Sequence, residues 1–68
     1  MTKVPFEKYV SIGNDFVLVE AQDVQAVDLP LFARAACDRH FGIGSDGLLV
    51  VERAETQVRM RMFNPDGT

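Results

Sequence analysis

Sixty-eight residues are enough for one small domain, and a chain this short buries only about 60% of the surface its unfolded form exposes. Its one cysteine, Cys37, rules out an internal disulfide, and its one histidine, His40, leaves too few ligands for a Cys/His zinc site. A net charge of −3 with no basic cluster argues against nucleic acid as a partner. The longest apolar run, residues 48–51, is far too short to span a bilayer. The opening MTKVPFEKYV has no secretory apolar core, which, with a free thiol, points to the cytoplasm.

In chain order, residues 6–10 (FEKYV) alternate and predict a half-buried strand. SIGND supplies turn chemistry through Gly13, Asn14 and Asp15. Residues 16–21 (FVLVEA) are β-branched and apolar, the second arm of a hairpin, and QDVQAV reads as loop. Asp28 is placed to cap a helix, with Pro30 in the first turn where a missing N–H costs nothing. Leu29, Phe32, Ala33, Ala36, Cys37 and His40 then recur at spacings of three and four, and Gly42 is a natural stop, so a helix is expected over residues 29–41. Residues 48–51, continued by Glu52 and Arg53, predict a buried strand. Val58, Met60 and Met62 alternate with Arg59, Arg61 and Phe63, predicting a fourth strand with one apolar face. Strand, strand, helix, strand, strand is an α+β unit, a sheet packed on one helix.

The final Asn64-Pro65-Asp66-Gly67 carries type I turn chemistry: asparagine first, proline second, glycine fourth. A turn after a strand normally returns the chain as a partner strand, and only Thr68 follows. The expectation is that the chain is a piece of a larger fold.

Four features invite a functional reading. Gly42, Gly44 and Gly47 make a G-x-G-x-x-G pattern, but it follows a helix and opens into a strand, the reverse of a dinucleotide-binding loop, so it reads as a helix stop plus a turn. Cys37 falls on the apolar helix stripe toward the C-terminal end, where the dipole opposes a thiolate, and reads as structural. His40, near the same end, reads as structural too. Asn14 and Asn64 each stand in a turn beside a strand end. An amide both donates and accepts, which suits a ligand bearing carboxylate and ammonium groups; equally, asparagine serves turns by bonding locally.

The stretches GNDFVLVEA (residues 13–21), CDRHFGIGSDGLLVVE (37–52) and RMRMFNPDG (59–67) resemble, in order and spacing, the start of diaminopimelate epimerase. The resemblance covers nearly the whole chain. It implies an isomerase that interconverts LL- and meso-diaminopimelate for lysine and peptidoglycan-precursor synthesis without pyridoxal phosphate, metal or other cofactor. It implies two similar halves, each a sheet wrapped around a central helix, so that residues 1–68 are an incomplete N-terminal half-domain. It further implies a homodimer of the full-length protein and a two-cysteine proton transfer. The first of those cysteines lies in a Cys-Gly-Asn-Gly stretch that this chain does not reach, so no catalytic residue is expected here, and Cys37 matches a helix position instead. Asn14 and Asn64 match substrate-contacting positions. Gly47 matches a position that is glutamine in some members; glycine has no side chain to reach substrate, so that role is not carried over. Val10, Ser11, Ile12 and Gly13 stand where members usually have His-Gly-Leu-Gly. The rival readings are a small self-standing interaction module that completes its sheet with a partner strand, and a related cofactor-independent racemase with another substrate.

Overall fold

In a computed structural model, residues 4–68 are described; residues 1–3, where the opening segment discussed above begins, lie outside them. Strands β1 (Glu7–Ser11), β2 (Asn14–Glu20), β3 (Leu48–Arg53) and β4 (Val58–Phe63) and helix α1 (Leu29–Cys37) follow one another in the expected order. They form a mixed four-stranded sheet in the order β1-β2-β3-β4. The β1–β2 and β3–β4 pairs are antiparallel, and β2 and β3 run parallel with the helix in the connection. A short 3₁₀ turn, Ala21–Val24, takes the last residue expected in the second strand and the start of the stretch expected as loop, and buries Val24 against the sheet.

Register decides which face is core. Val17 lies beside Leu48 and Leu48 beside Phe63; Val19 lies beside Val50 and Val50 beside Arg61. Paired residues share a face, so Val17, Val19, Leu48, Val50 and Phe63 line one side. There they meet Ala33 and Cys37 of the helix, and all seven are buried. The opposite face carries Leu18, Leu49, Val51, Met60 and Met62 in register.

The apolar face of β4, Val58, Met60 and Met62, is left open: the three are 56%, 58% and 54% exposed. The register turns Arg59, Arg61 and Phe63 toward the helix side instead, and only Phe63 is covered. The first strand is also exposed throughout rather than half-buried. It is an edge strand, and the helix packs over β3, leaving β1 uncovered.

The helix begins as expected. Asp28 Oδ1 accepts the Leu31 N–H at 3.1 Å, and Pro30 sits in the first turn. It ends at Cys37, four residues before the expected end and short of His40. Asp38 is the reason: its Oδ1 accepts the N–H groups of His40 (2.8 Å) and Phe41 (3.0 Å), giving the backbone an alternative to helical bonding. The freed carbonyls of Ala36 and Cys37 are then taken by Gly44 N (2.9 Å) and Ser45 N (3.2 Å). The glycine-rich loop thus folds back and caps the helix it follows. Gly42 permits the approach, because a Cβ there would stand 2.0 Å from the Ala35 carbonyl oxygen.

Candidate functional site

One end of the sheet gathers the segments that the sequence singled out. Asn14 opens β2, Gly47 directly precedes β3, and Asn64 directly follows β4. Because β2 and β3 are parallel and β4 antiparallel, all three lie at the same end. Two strand spacings separate the Asn14 and Asn64 strands, about 10 Å across the sheet. A shallow cleft of about 340 Å³ lies at the Asn14 turn, lined by Ser11, Gly13, Asn14, Asp15, Arg39 and Asp46.

Asn64 is exposed and anchors its own turn. Its carbonyl oxygen accepts the Gly67 N–H at 2.9 Å, the bond expected of the turn. Its Nδ2 donates to the Thr68 Oγ1 (3.1 Å) and carbonyl oxygen (3.3 Å). Thr68 in turn donates its N–H (3.0 Å) and hydroxyl (2.6 Å) to Asp66 Oδ1. The Thr68 hydroxyl, then its amide, hold the Asp66 carboxyl below the usual carboxylate range. The amide nitrogen of Asn64 is therefore engaged locally, and its Oδ1 is the atom left to offer a ligand.

Asn14 is exposed and paired with Ser11 across the hairpin. Beside it lies a charge network that the sequence reading did not pick out. Arg39 bridges two carboxylates, donating from one NH group to Asp15 Oδ1 (2.9 Å) and Asp46 Oδ1 (3.2 Å). The Lys8 ammonium lies 3.0 Å from Asp15 Oδ2 and also donates to the Gly44 carbonyl. The Arg39 guanidinium, then the Lys8 ammonium, hold the Asp15 carboxyl far below the ordinary carboxylate range. Asp15, in turn, raises the Arg39 pKa.

Cys37 and His40 do not join this end as chemical groups. Cys37 is 4% exposed, and its sulfur accepts the Ser45 hydroxyl at 3.2 Å. His40 is exposed in the turn after the helix, its ring tilted against Phe41. At Gly47 an added Cβ would press on the Phe16 ring at 3.1 Å and the Phe63 carbonyl oxygen at 3.2 Å, so a side chain there would require its neighbours to give by a few tenths of an ångström. Among the described residues no three His, Cys, Asp or Glu side chains converge as a metal site, and no helix is long and apolar enough to cross a membrane.

A wider depression lies elsewhere. A groove of about 760 Å³ runs between β4 and the segment after β2, with Val24, Val27, Leu29 and Val50 beside Arg59 and Arg61. Its apolar residues belong to or pack against the core, so it is the uncovered margin of the helix-facing side and not a pocket at the Asn14 end.

Comparison with known proteins gives these observations a family. The model of the family described as diaminopimelate epimerase matches residues 6–68. A diaminopimelate epimerase of Caldanaerobacter subterraneus subsp. tengcongensis is 52% identical over 93% of this chain and 23% of its own length. One from Moorella thermoacetica is also 52% identical, over the same shares of both chains. One from Prochlorococcus marinus is 40% identical over 100% of this chain and 25% of its own. The chain thus spans about a quarter of the length of these curated relatives, and it belongs to the diaminopimelate epimerase family.

Proposed function

We propose that the chain is the N-terminal part of a cofactor-independent epimerase that interconverts LL- and meso-diaminopimelate, and that it supplies substrate-binding groups to a site completed by further polypeptide. The observation that carries this reading is the meeting of Asn14 and Asn64 at one sheet end, in a chain whose family match runs through both. An α-proton beside a carboxylate is very weakly acidic. Removing it demands that the amino-acid head be held still between a base and an acid on opposite faces. Amide side chains at the end of a rigid sheet suit the holding: Asn14 carries both a donor and an acceptor for a zwitterion, and Asn64, its nitrogen engaged by Thr68, offers its Oδ1 to the ammonium.

The proton transfers belong to two cysteines outside these residues. The burial of Cys37 under Ser45 supports that division, because a thiol covered on the helix cannot meet a substrate. The uncovered groove along β4 and the exposed Met60 and Met62 support a two-domain protein whose remaining polypeptide covers them. The reading carries with it a cytoplasmic, homodimeric full-length enzyme in lysine and peptidoglycan-precursor synthesis.

In the full-length enzyme, Asn64→Ala should lower kcat/KM about 10- to 100-fold, the loss expected for a hydrogen bond to a charged group. An unchanged kcat/KM removes Asn64 from the site. The 68 residues alone should not exchange the substrate α-proton with deuterated water, and exchange catalysed by them would overturn the division of labour.

A further inference from the structure

The network around Asp15 joins three segments far apart in sequence: the β1–β2 hairpin, the turn after the helix and the glycine-rich loop. Asp15 directly follows Asn14, and its main chain is tied to Asp46 in both directions. Asp15 N donates to Asp46 Oδ2 at 3.0 Å, while Asp46 N donates to the Asp15 carbonyl oxygen at 2.9 Å and to Oδ1 at 3.1 Å. Two carboxylates so close repel, and Arg39 lying between them offsets that, with Lys8 on the far oxygen of Asp15. The hairpin turn has no comparable support of its own. Ile12 is fully exposed, and no atom lies within 4 Å of where a Gly13 Cβ would stand. Beyond its pairing with Ser11 in the hairpin, Asn14 is therefore tied to the rest of the fold through Asp15.

We infer that Asp46 and Arg39 are positioning residues for the substrate amide Asn14: they hold the hairpin at a fixed distance from the glycine-rich loop, and so from the centre of the sheet end. This rests on the proposed substrate contact of Asn14. A stability role alone makes a different prediction, since general loss of stability is indifferent to whether Asn14 has a side chain.

The test is a double-mutant cycle in the full-length epimerase that carries this segment, with diaminopimelate as substrate and Tm measured for each variant. Asp46→Ala should raise KM about tenfold with a smaller change in kcat, a coupling of ordinary size for groups in one network. Asn14→Ala should raise KM at least as much. The double variant should be no worse than Asn14→Ala alone, because the network then has nothing left to position. Asp46→Asn, which keeps an oxygen for the Asp15 N–H, should recover most of the loss, and Arg39→Ala should behave as Asp46→Ala. If Asn14→Ala leaves KM unchanged, the substrate role of Asn14 fails. If Asn14→Ala impairs binding but Asp46→Ala only lowers Tm, or if the two effects multiply, the positioning role fails while that of Asn14 stands.

Discussion

Asn14 and Asn64 are the same residue type at the same end of the same sheet, and they are held in opposite ways. The Asn64 turn is hydrogen-bonded within itself. Every bond that shapes it, to Gly67, Thr68 and Asp66, joins residues within four positions of one another. Asn14 is held through its neighbour Asp15, whose partner Lys8 lies on β1 and whose bonds to Arg39 and Asp46 span 24 and 31 positions. Local bonds need little prior order. Long-range bonds form only once the chain between them has been fixed, so they depend on the whole fold. The placement of one proposed substrate contact is thus encoded in its own turn, and that of the other is a property of the tertiary structure.

The largest expected effect comes from breaking the long-range side at a distance. Gly42 lies against the end of the helix, where a Cβ would stand 2.0 Å from the Ala35 oxygen and 3.0 Å from that of Ala36. Gly42→Ala must push the loop off the helix end, weakening the Gly44 and Ser45 bonds to Ala36 and Cys37 and displacing Asp46. Overpacking of this kind costs about 2–3 kcal/mol, read as a lower denaturation midpoint. The NMR shifts of residues 64–68 should stay where they are while those of Asn14 and Asp15 move. Equal movement at both turns would erase the contrast.

The matching change on the local side is smaller. Gly67 has a φ of +93°, a backbone state that side chains disfavour, and a Cβ would lie 2.8 Å from the Pro30 oxygen. Gly67→Ala should cost about 1–2 kcal/mol and disturb Asn64 while leaving the Asp15–Asp46 bonds intact. Loss of the Asp15 and Asp46 amide protection in this variant would show that the two turns are not independent.

Much of the local side was legible in the sequence. The order Asn, Pro, Asp, Gly named the last turn, Asp28 named the helix start, and the bounds of β4 follow from its alternation. What failed did so for physical reasons. The end of the helix was missed because Asp38 competes for backbone N–H groups through a side-chain bond that no periodicity reveals. Which face of β4 meets the helix was not legible, because alternation gives two faces and only the register with Val50 and Leu48 distinguishes them. The Asp15 network was invisible because its members are scattered through the chain with no common spacing. Even the two asparagines were marked as site residues by family resemblance and not by their turns, whose chemistry is explained equally well by local bonding.

The smallest effect is in acid, and it tests the comparison most finely. Beside one turn and within the other stands an aspartate whose carboxyl is held below its usual range, Asp15 by Arg39 and then Lys8, Asp66 by the Thr68 hydroxyl and then its amide. A carboxyl whose pKa is lower folded than unfolded adds stability above its unfolded value, about 4. That stability is lost as the pH falls toward the folded value. The slope of stability against pH counts only the difference in bound protons between folded and unfolded chains. The partners of Asp15 disperse on unfolding, so its carboxyl returns to the ordinary range. Asp66 stays two residues from Thr68 in any state, and part of its shift persists in the unfolded ensemble. Between about pH 4 and pH 2 the chain should therefore lose stability, and Asp15→Asn should flatten that loss more than Asp66→Asn does. Denaturation midpoints measured across this range decide the matter: equal slopes for the two variants would mean that the Asn64 turn is as dependent on the rest of the fold as the Asn14 turn, and that its self-contained bonds do not hold it in the open chain.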